Sequence, residues 1–229
     1  MSTTLRIWLS APLQSWGTAS RFEARTTDLA PSKSGVVGLL CAALGRHRGE
    51  PVDDLAALRF GVRVETPGSV LRDFHTVGAG RDASGIAVAS GARSQARGVV
   101  TQRYYLQDAA FVAGLEGDDP ELLSQLRDAV ARPRWPLALG RRSCPPAGPL
   151  VDADALVAEP LEVALARHWC PAGAPDGLLG TGEDVELLIE DAKGALELQD
   201  APLGAAFRNR TFAVRRVRSR WVTGDREVV

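Results

Sequence analysis

Lysine is nearly missing from this 229-residue chain: of 27 basic residues only Lys33 and Lys193 are lysine, the other 25 being arginine. Histidine is scarce too. His47, His75 and His168 are the full set, so general acid–base chemistry has few candidates. The three cysteines, Cys41, Cys144 and Cys170, stand far apart with no C-x-x-C pair. That spacing argues against a disulfide framework and a tetrahedral zinc site, and for structural cysteines. No stretch approaches the roughly 18 consecutive apolar residues of a membrane span, and Arg6 interrupts Met1–Leu9 as a signal-peptide core. The expected setting is the cytoplasm, without membrane contact. Also missing are G-x-S-x-G, H-E-x-x-H, G-x-G-x-x-G and any paired-carboxylate motif. No metal and no cofactor is expected.

What is present is ordinary in amount and unusual in placement. A 45% hydrophobic and 24% charged composition is that of a soluble globular protein, long enough for one large domain or two small ones. The net charge of −1 conceals sorting along the chain. Asp176 to Asp200 carries eight acids and one base, whereas Arg208 to Arg220 carries six arginines and no acid. Arg72 to Arg103 holds five arginines and two aspartates. A polyanion responds to such tracts rather than to the total.

Leu5, Ile7 and Leu9 alternate with Arg6 and Trp8, which predicts a half-buried strand. Ser34–Leu44 predicts an apolar helix with Ser32 or Ser34 as N-cap, Gly45 as stop, and glycines that permit close packing on a sheet. Phe60–Glu65 and Leu71–Val77 read as strands. Gly78 to Gly98 is too poor in large apolar groups to fill a core and is expected to project as a hairpin. Val99–Leu106 returns from it, and Ala109–Leu115 continues as a core strand. Asp118 or Asp119 caps a helix at 120–131 with Leu122, Leu123, Leu126 and Val130 on one face. A short strand follows at Pro136–Gly140. After Pro149 come a helix at 161–166, a hairpin of 185–189 with 196–198, and a last strand at 211–222. The order strand, helix, strand, strand, helix, strand predicts an α+β, ferredoxin-like (RRM-like) antiparallel sheet with two helices. The expected division is 1–146, with a β-hairpin thumb at about 77–100, and a smaller strand-rich region at 147–229.

Pro31-Ser32-Lys33-Ser34-Gly35 lacks both glycines that a phosphate-binding Walker loop requires, so nucleotide hydrolysis is not indicated. A helix N-terminus with Lys33 and two hydroxyls still offers room for a single phosphate. His75, in Arg72-Asp73-Phe74-His75-Thr76, is the one histidine with Tyr104 or Tyr105 as conceivable partners in a metal-independent ribonuclease. Arginines interleaved with aromatics (Arg103-Tyr104-Tyr105; Arg215 to Trp221) and the Arg141-Arg142 pair suit single-stranded RNA. Guanidinium groups neutralise phosphates while ring planes stack on bases.

Five blocks carry a family resemblance: Ala11-Pro12-Leu13-Gln14-Ser15-Trp16-Gly17, the stretch from Pro31 to Leu40, Leu71 to Val77, Tyr105 to Phe111, and Leu139-Gly140-Arg141-Arg142-Ser143-Cys144-Pro145. In that order they resemble the CasD family of the RAMP superfamily, a subunit of type I-E CRISPR Cascade. The resemblance covers roughly residues 1–150 and loosens after Pro149. It implies a non-catalytic RNA-binding subunit that holds the crRNA 5′ handle and caps the backbone filament in antiviral defence. Its implied neighbours are the CasC backbone subunit, the large subunit CasA and, indirectly, target DNA. On this reading Gln14, Trp16, Lys33, Ser34, His75, Arg141, Arg142 and Ser143 lie around the handle, and Arg93, Arg97 and Arg103 lie on or beside the thumb. A type I-C relative cleaves precursor crRNA with a Tyr, Lys and His cluster. Here neither lysine is near His75 or the tyrosines in sequence, and precursor processing stands as the alternative reading.

Overall fold

The structure, a computed structural model, describes residues 2–18, 24–78, 86–87, 93–94, 98–174 and 184–223. In chain order the elements are β1 (Thr3–Gln14), β2 (Ala24–Arg25), α1 (Lys33–Leu44), α2 (Asp53–Ala56), β3 (Arg59–Thr66), β4 (Ser69–Gly78), β5 (Ile86–Ala87), β6 (Arg93–Ser94) and β7 (Gly98–Gly117). There follow α3 (Pro120–Ala131), β8 (Leu156–Val157), α4 (Leu161–Ala166), β9 (Val185–Glu190), β10 (Leu196–Pro202), α5 (Ala206–Asn209) and β11 (Phe212–Val222). Together they make a mixed α+β fold on one nine-stranded sheet of order β10-β11-β9-β3-β7-β1-β8, with β2 and β4 also paired to β7. All pairings are antiparallel except β2 with β7.

The helices begin and end where their caps dictate. Ser32 Oγ accepts the Gly35 N–H at 3.2 Å, and Gly45 closes α1 in the left-handed region at φ 76°. Asp119 Oδ1 takes the N–H groups of Glu121 and Leu122 to open α3, whose Leu123, Leu126 and Val130 are buried. The glycines of α1 meet side chains rather than the sheet: a Cβ at Gly35 would stand 2.8 Å from the Trp16 ring, and one at Gly38 would stand 3.5 Å from Phe207.

β1 is buried on both sides instead of one. Leu5, Ile7 and Leu9 face the main core, while Arg6 and Trp8, also buried, sit beneath the segment after β8. Arg6 stacks on Trp169 at 4.7 Å and donates to the Asp154 carbonyl, so its charge is spent inside the fold. On that second face α4 lies close on the sheet, because the facing pair Gly61 and Gly114 leaves room. A Cβ there would fall 2.7 Å from Ile189 Cδ1 or 2.6 Å from Leu161 Cδ1. Arg63 caps the far end of α4 through the carbonyls of Leu165 and Ala166, and it pairs with Glu65 at 2.6 Å. Burial by itself would raise the Glu65 carboxyl, but the His168 hydrogen bond and the Arg63 charge hold it below its ordinary value.

Two further sequence expectations are corrected. Residues 136–140 are no strand; Leu139 instead accepts the Ser15 N–H and donates to Cys144 O, making a turn that leans on the end of β1. The strand paired to the outer edge of β1 is β8. The 185–189 and 196–198 segments do not pair with each other, because β11 inserts between β9 and β10. That insertion buries Val217 and satisfies Arg215 with Asp200 at 2.6 Å. Residues on both sides of position 146 thus contribute to one sheet, β9 lying directly on β3.

Candidate nucleic-acid interface

β3 and β4 pair with successive halves of the same 20-residue strand, β7. The switch comes at a kink where Gly68 and Asp108 both take positive φ, 68° and 55°. A Cβ at Gly68 would lie 2.4 Å from the Gln107 carbonyl, so the bend requires glycine there. Past the kink, 69–78 and 98–107 form a ribbon whose β4 side chains are mostly exposed and whose β7 side chains are mostly half-buried, with Tyr105 and Leu106 still buried. The projecting hairpin therefore starts at Ser69, well before position 77. Of its expected tip, only β5 and β6 fall among the described residues.

Register sorts the ribbon into two sides. Val70, Arg72, Phe74, Val100, Gln102 and Tyr104 share one; Phe74 is 66% exposed and Val70 54%. Leu71, Asp73, His75, Thr101, Arg103 and Tyr105 share the other, where β2 brings Arg25 alongside Arg103. This second side is the cationic one. Arg103 Nε is buried without a hydrogen-bond partner among the described residues, and Arg25 is exposed. His75 is exposed and its Nδ1 lies 3.2 Å from Asp73 Oδ2.

A single guanidinium ties this side together. Arg141 donates to the carbonyls of Tyr104 at 3.0 Å, Arg25 at 2.7 Å and Thr26 at 3.2 Å, and lies over the Tyr105 ring at 4.7 Å. The turn that delivers it is fixed by Gly140 at φ 86°, where a Cβ would collide with the Ser15 carbonyl at 1.6 Å. Arg142 and Ser143 follow immediately and are exposed.

Several predicted contact residues are thereby put to internal use. Gln14 is fully buried: its Nε2 donates to Leu9 O and Ala109 O, and its Oε1 accepts from Trp16 Nε1. Trp16 is equally buried, its ring filling the space above Gly35, so neither side chain is presented for stacking on a base. The expected phosphate site at the start of α1 is filled by the chain's own carboxylates. Asp200 accepts the Lys33 N–H at 2.7 Å, and Glu190 pairs with the buried Lys33 ammonium at 2.9 Å. Ser34 turns its hydroxyl to Ser32. The adjoining cavity of about 450 Å³ is lined by Lys33, Glu190 and Arg215, charges already matched by acid–base partners. Arg103 and Arg141, with Arg142 and Ser143 following it, remain on the inner part of the ribbon, while His75 lies farther out, opposite Thr101. Arg93 lies in β6, and Arg97 lies outside the described residues.

Arg25 was not marked by sequence. Nothing local in Phe22-Glu23-Ala24-Arg25 announces a strand, and its position comes from parallel pairing with a strand some 78 residues later. Cys41 is buried and its thiol is pushed up to about 11, and burial raises Cys144 as well, so neither is set up as a nucleophile.

A large sheet extended by a two-sided ribbon invites comparison with known proteins. The family model described as CRISPR-associated protein (Cas_Cas5) matches residues 4–218. The chain belongs to the Cas5 family. Within 193 aligned residues, 76% of this chain and 80% of the relative, it is 33% identical to CRISPR system Cascade subunit CasD of Escherichia coli (strain K12). Two solved structures share this Cas5 chain's architecture. One, titled as the crystal structure of a Cas protein, is 42% identical at TM-score 0.73, covering 96% of this chain and 95% of that one. The other is a chain of a CRISPR RNA-guided surveillance complex, 32% identical at TM-score 0.75, covering 96% of this chain and 90% of its own.

Proposed function

We propose that this Cas5 chain is a non-catalytic, crRNA-binding subunit of a Cascade-type surveillance complex that holds the 5′ handle and caps the backbone filament. The observation that carries the reading is the two-sided ribbon. Arg25 and Arg103 share one side of it, beside a turn that is clamped by Arg141 and carries exposed Arg142. Fixed guanidiniums with exposed donors suit phosphate oxygens, and the neighbouring His75 offers a ring for stacking or hydrogen bonding. The opposite side, with exposed Val70, Phe74 and Val100, then packs on an adjacent CasC-like subunit. CasA and, through the assembled complex, target DNA complete the partners, and the setting is cytoplasmic. The β3-β7-β1-β8 strand order with α1 and α3 supports a ferredoxin-like core for the binding unit.

The precursor-cleaving alternative has one observation in its favour, the His75–Asp73 contact at 3.2 Å. Against it, Tyr104 belongs to the ribbon's other side and bonds Gln102. Tyr105 lies under Arg141, four residues along the strand from the partner of His75, roughly 13 Å at strand spacing.

A titration decides between them. Labelled handle RNA and a shuffled RNA of equal length are bound to the purified chain at two salt concentrations in EDTA, and half of each sample is run on a denaturing gel. Handle preference with intact RNA is the expected result. Cleavage at one position, lost in His75→Ala, would establish the ribonuclease instead. Equal binding of both RNAs would assign specificity to the assembled complex.

A further inference from the structure

Arginines of three separate chain segments meet at a place that the ribbon does not use. Residues 46–49 follow α1, residues 132–135 follow α3, and Arg208 belongs to α5. The N–H groups of Arg134 and Trp135 donate to Ala43 O and Ala42 O, the last carbonyls of α1. Arg134 packs over Gly45, and Arg208 Nη1 lies 3.6 Å from where a Gly49 Cβ would stand. The rings of His47 and Trp135 meet edge-on at 5.5 Å, with Trp135 still 38% exposed.

Of the acids of this region Asp54 is neutralised by an arginine, while Glu50 and Asp53 are held by backbone N–H groups and leave the guanidiniums in excess. Glu50 accepts the His47 N–H, Asp53 accepts the Gly204 N–H, and Asp54 takes both ends of Arg46. Arg48, Arg132, Arg134 and Arg208 are exposed and have no ion-pair partner among the described residues. The two helix C-termini account for cations at 132 and 134, since carbonyl ends favour positive charge. They do not account for Arg48 or Arg208.

We infer that this cluster is a second polyanion surface, fitting the phosphate backbone of a nucleic acid other than the strand on the ribbon. A protein partner would call for an apolar, charge-depleted centre. Here Trp135 is the one exposed large apolar side chain in the three segments, set among guanidiniums. Strong positive charge with a single aromatic is instead the make-up of a nucleic-acid contact. Either a single strand or a duplex supplies that chemistry.

The test uses the full chain and two probes, a labelled single-stranded RNA and a labelled duplex DNA of mixed sequence, each titrated at several salt concentrations. R48E/R132E/R208E alters side chains that make no hydrogen bond or ion pair among the described residues; circular dichroism and Tm verify that it is intact. It is expected to bind one or both probes at least tenfold more weakly at low salt. The log–log salt slope should flatten by about 0.7 per lost contact for the single strand or about 0.9 for the duplex. The probe that suffers identifies the ligand. R127E/R167E/R216E carries the same charge change at surface arginines that already have acidic partners, and it should retain its affinity.

Binding by R48E/R132E/R208E within twofold of wild type for both probes would overturn the inference. So would equal weakening by the control triple, or a wild-type chain that binds neither probe. The ribbon reading is scored separately, on R25A/R142A with handle and shuffled RNA, so that one assignment can fail while the other stands.

Discussion

β7 is one strand in two environments. Between Ala109 and Leu115 it is buried on both faces and paired on both edges, by β3 and β1. Between Gly98 and Gln107 it pairs with β4, briefly with β2 and, at Leu106 and Gln107, with the end of β1; Tyr105 and Leu106 are still buried, while residues 100–104 are half-buried or exposed. The kink at Gly68 and Asp108 is the border. The inner half is stabilised by the chain's own apolar contacts, whereas the outer half is held by backbone hydrogen bonds and a few clamps such as Arg141. Side chains on the outer half are therefore free to be chosen for what they bind.

Matched truncations on the two halves should separate most. Phe111 is fully buried, so Phe111→Ala should cost about 3–5 kcal/mol, a Tm drop of roughly 6–20 °C for a chain of this size. Phe74→Ala removes a ring that is 66% exposed and should leave the isolated chain within about 0.5 kcal/mol. Its expected effect is weaker docking on the neighbouring subunit, read by co-purification of the complex. A large Tm loss in F74A would mean the ribbon packs on its own chain after all. Arg141→Ala comes next, at about 2 kcal/mol, because it deletes charged donors to three carbonyls. Arg141→Lys should not restore it, since one ammonium cannot reproduce a planar fork stacked on Tyr105.

The same border divides what was legible in the sequence from what was not. Local signals read well: the Ser32 and Asp119 caps and the Gly45 stop appear as expected, and β1 is a strand, although it is buried on both faces rather than one. The hairpin expected from Gly78 to Gly98 lies mostly outside the described residues, and the described ribbon begins earlier, at Ser69. Long-range pairing did not read. Nothing in β9 and β10 says that a later strand will enter between them, and a short loop makes a hairpin the natural guess. The site residues misled for a related reason. Gln14 and Trp16 sit in a polar loop sequence, yet Gln14 Oε1 accepts the Trp16 indole N–H, and Leu9 O and Ala109 O take the Gln14 amide donors. Arg141 looked like a phosphate ligand because sequence cannot tell an arginine aimed at carbonyls from one aimed at solvent.

Each environment also holds a histidine–carboxylate pair. His168 meets buried Glu65 at 3.0 Å, and His75 meets exposed Asp73 at 3.2 Å. Glu65 has its folded value depressed, so its contribution is fully present above the ordinary carboxylate value of 4.5 and is lost as pH falls through the folded value. His168→Phe removes a hydrogen bond that lowers Glu65, and the acid-unfolding midpoint should move up in pH. At neutral pH the loss should be about 1 kcal/mol. His75→Ala should change neither quantity, because an exposed pair contributes little. Identical acid midpoints for wild type and H168F would remove Glu65 from the account of acid stability.

The smallest change in stability should accompany the clearest change in binding. Arg25 and Arg142 are exposed and their guanidiniums make no ion pair among the described residues, so R25A/R142A should unfold within about 0.5 kcal/mol of wild type. If both guanidiniums neutralise phosphates of a bound strand, the log–log salt slope for handle RNA should shrink by about 1.4, at about 0.7 per contact. Arg141 differs from its neighbour in that replacing it disturbs the turn carrying Arg142, so R141A should lose stability and slope together. A stable R25A/R142A variant with the wild-type slope would move the RNA off this side of the ribbon, whatever R141A does. A lost slope without lost stability would mean that the outer half of β7 is shaped by its ligand, as the inner half is shaped by its core.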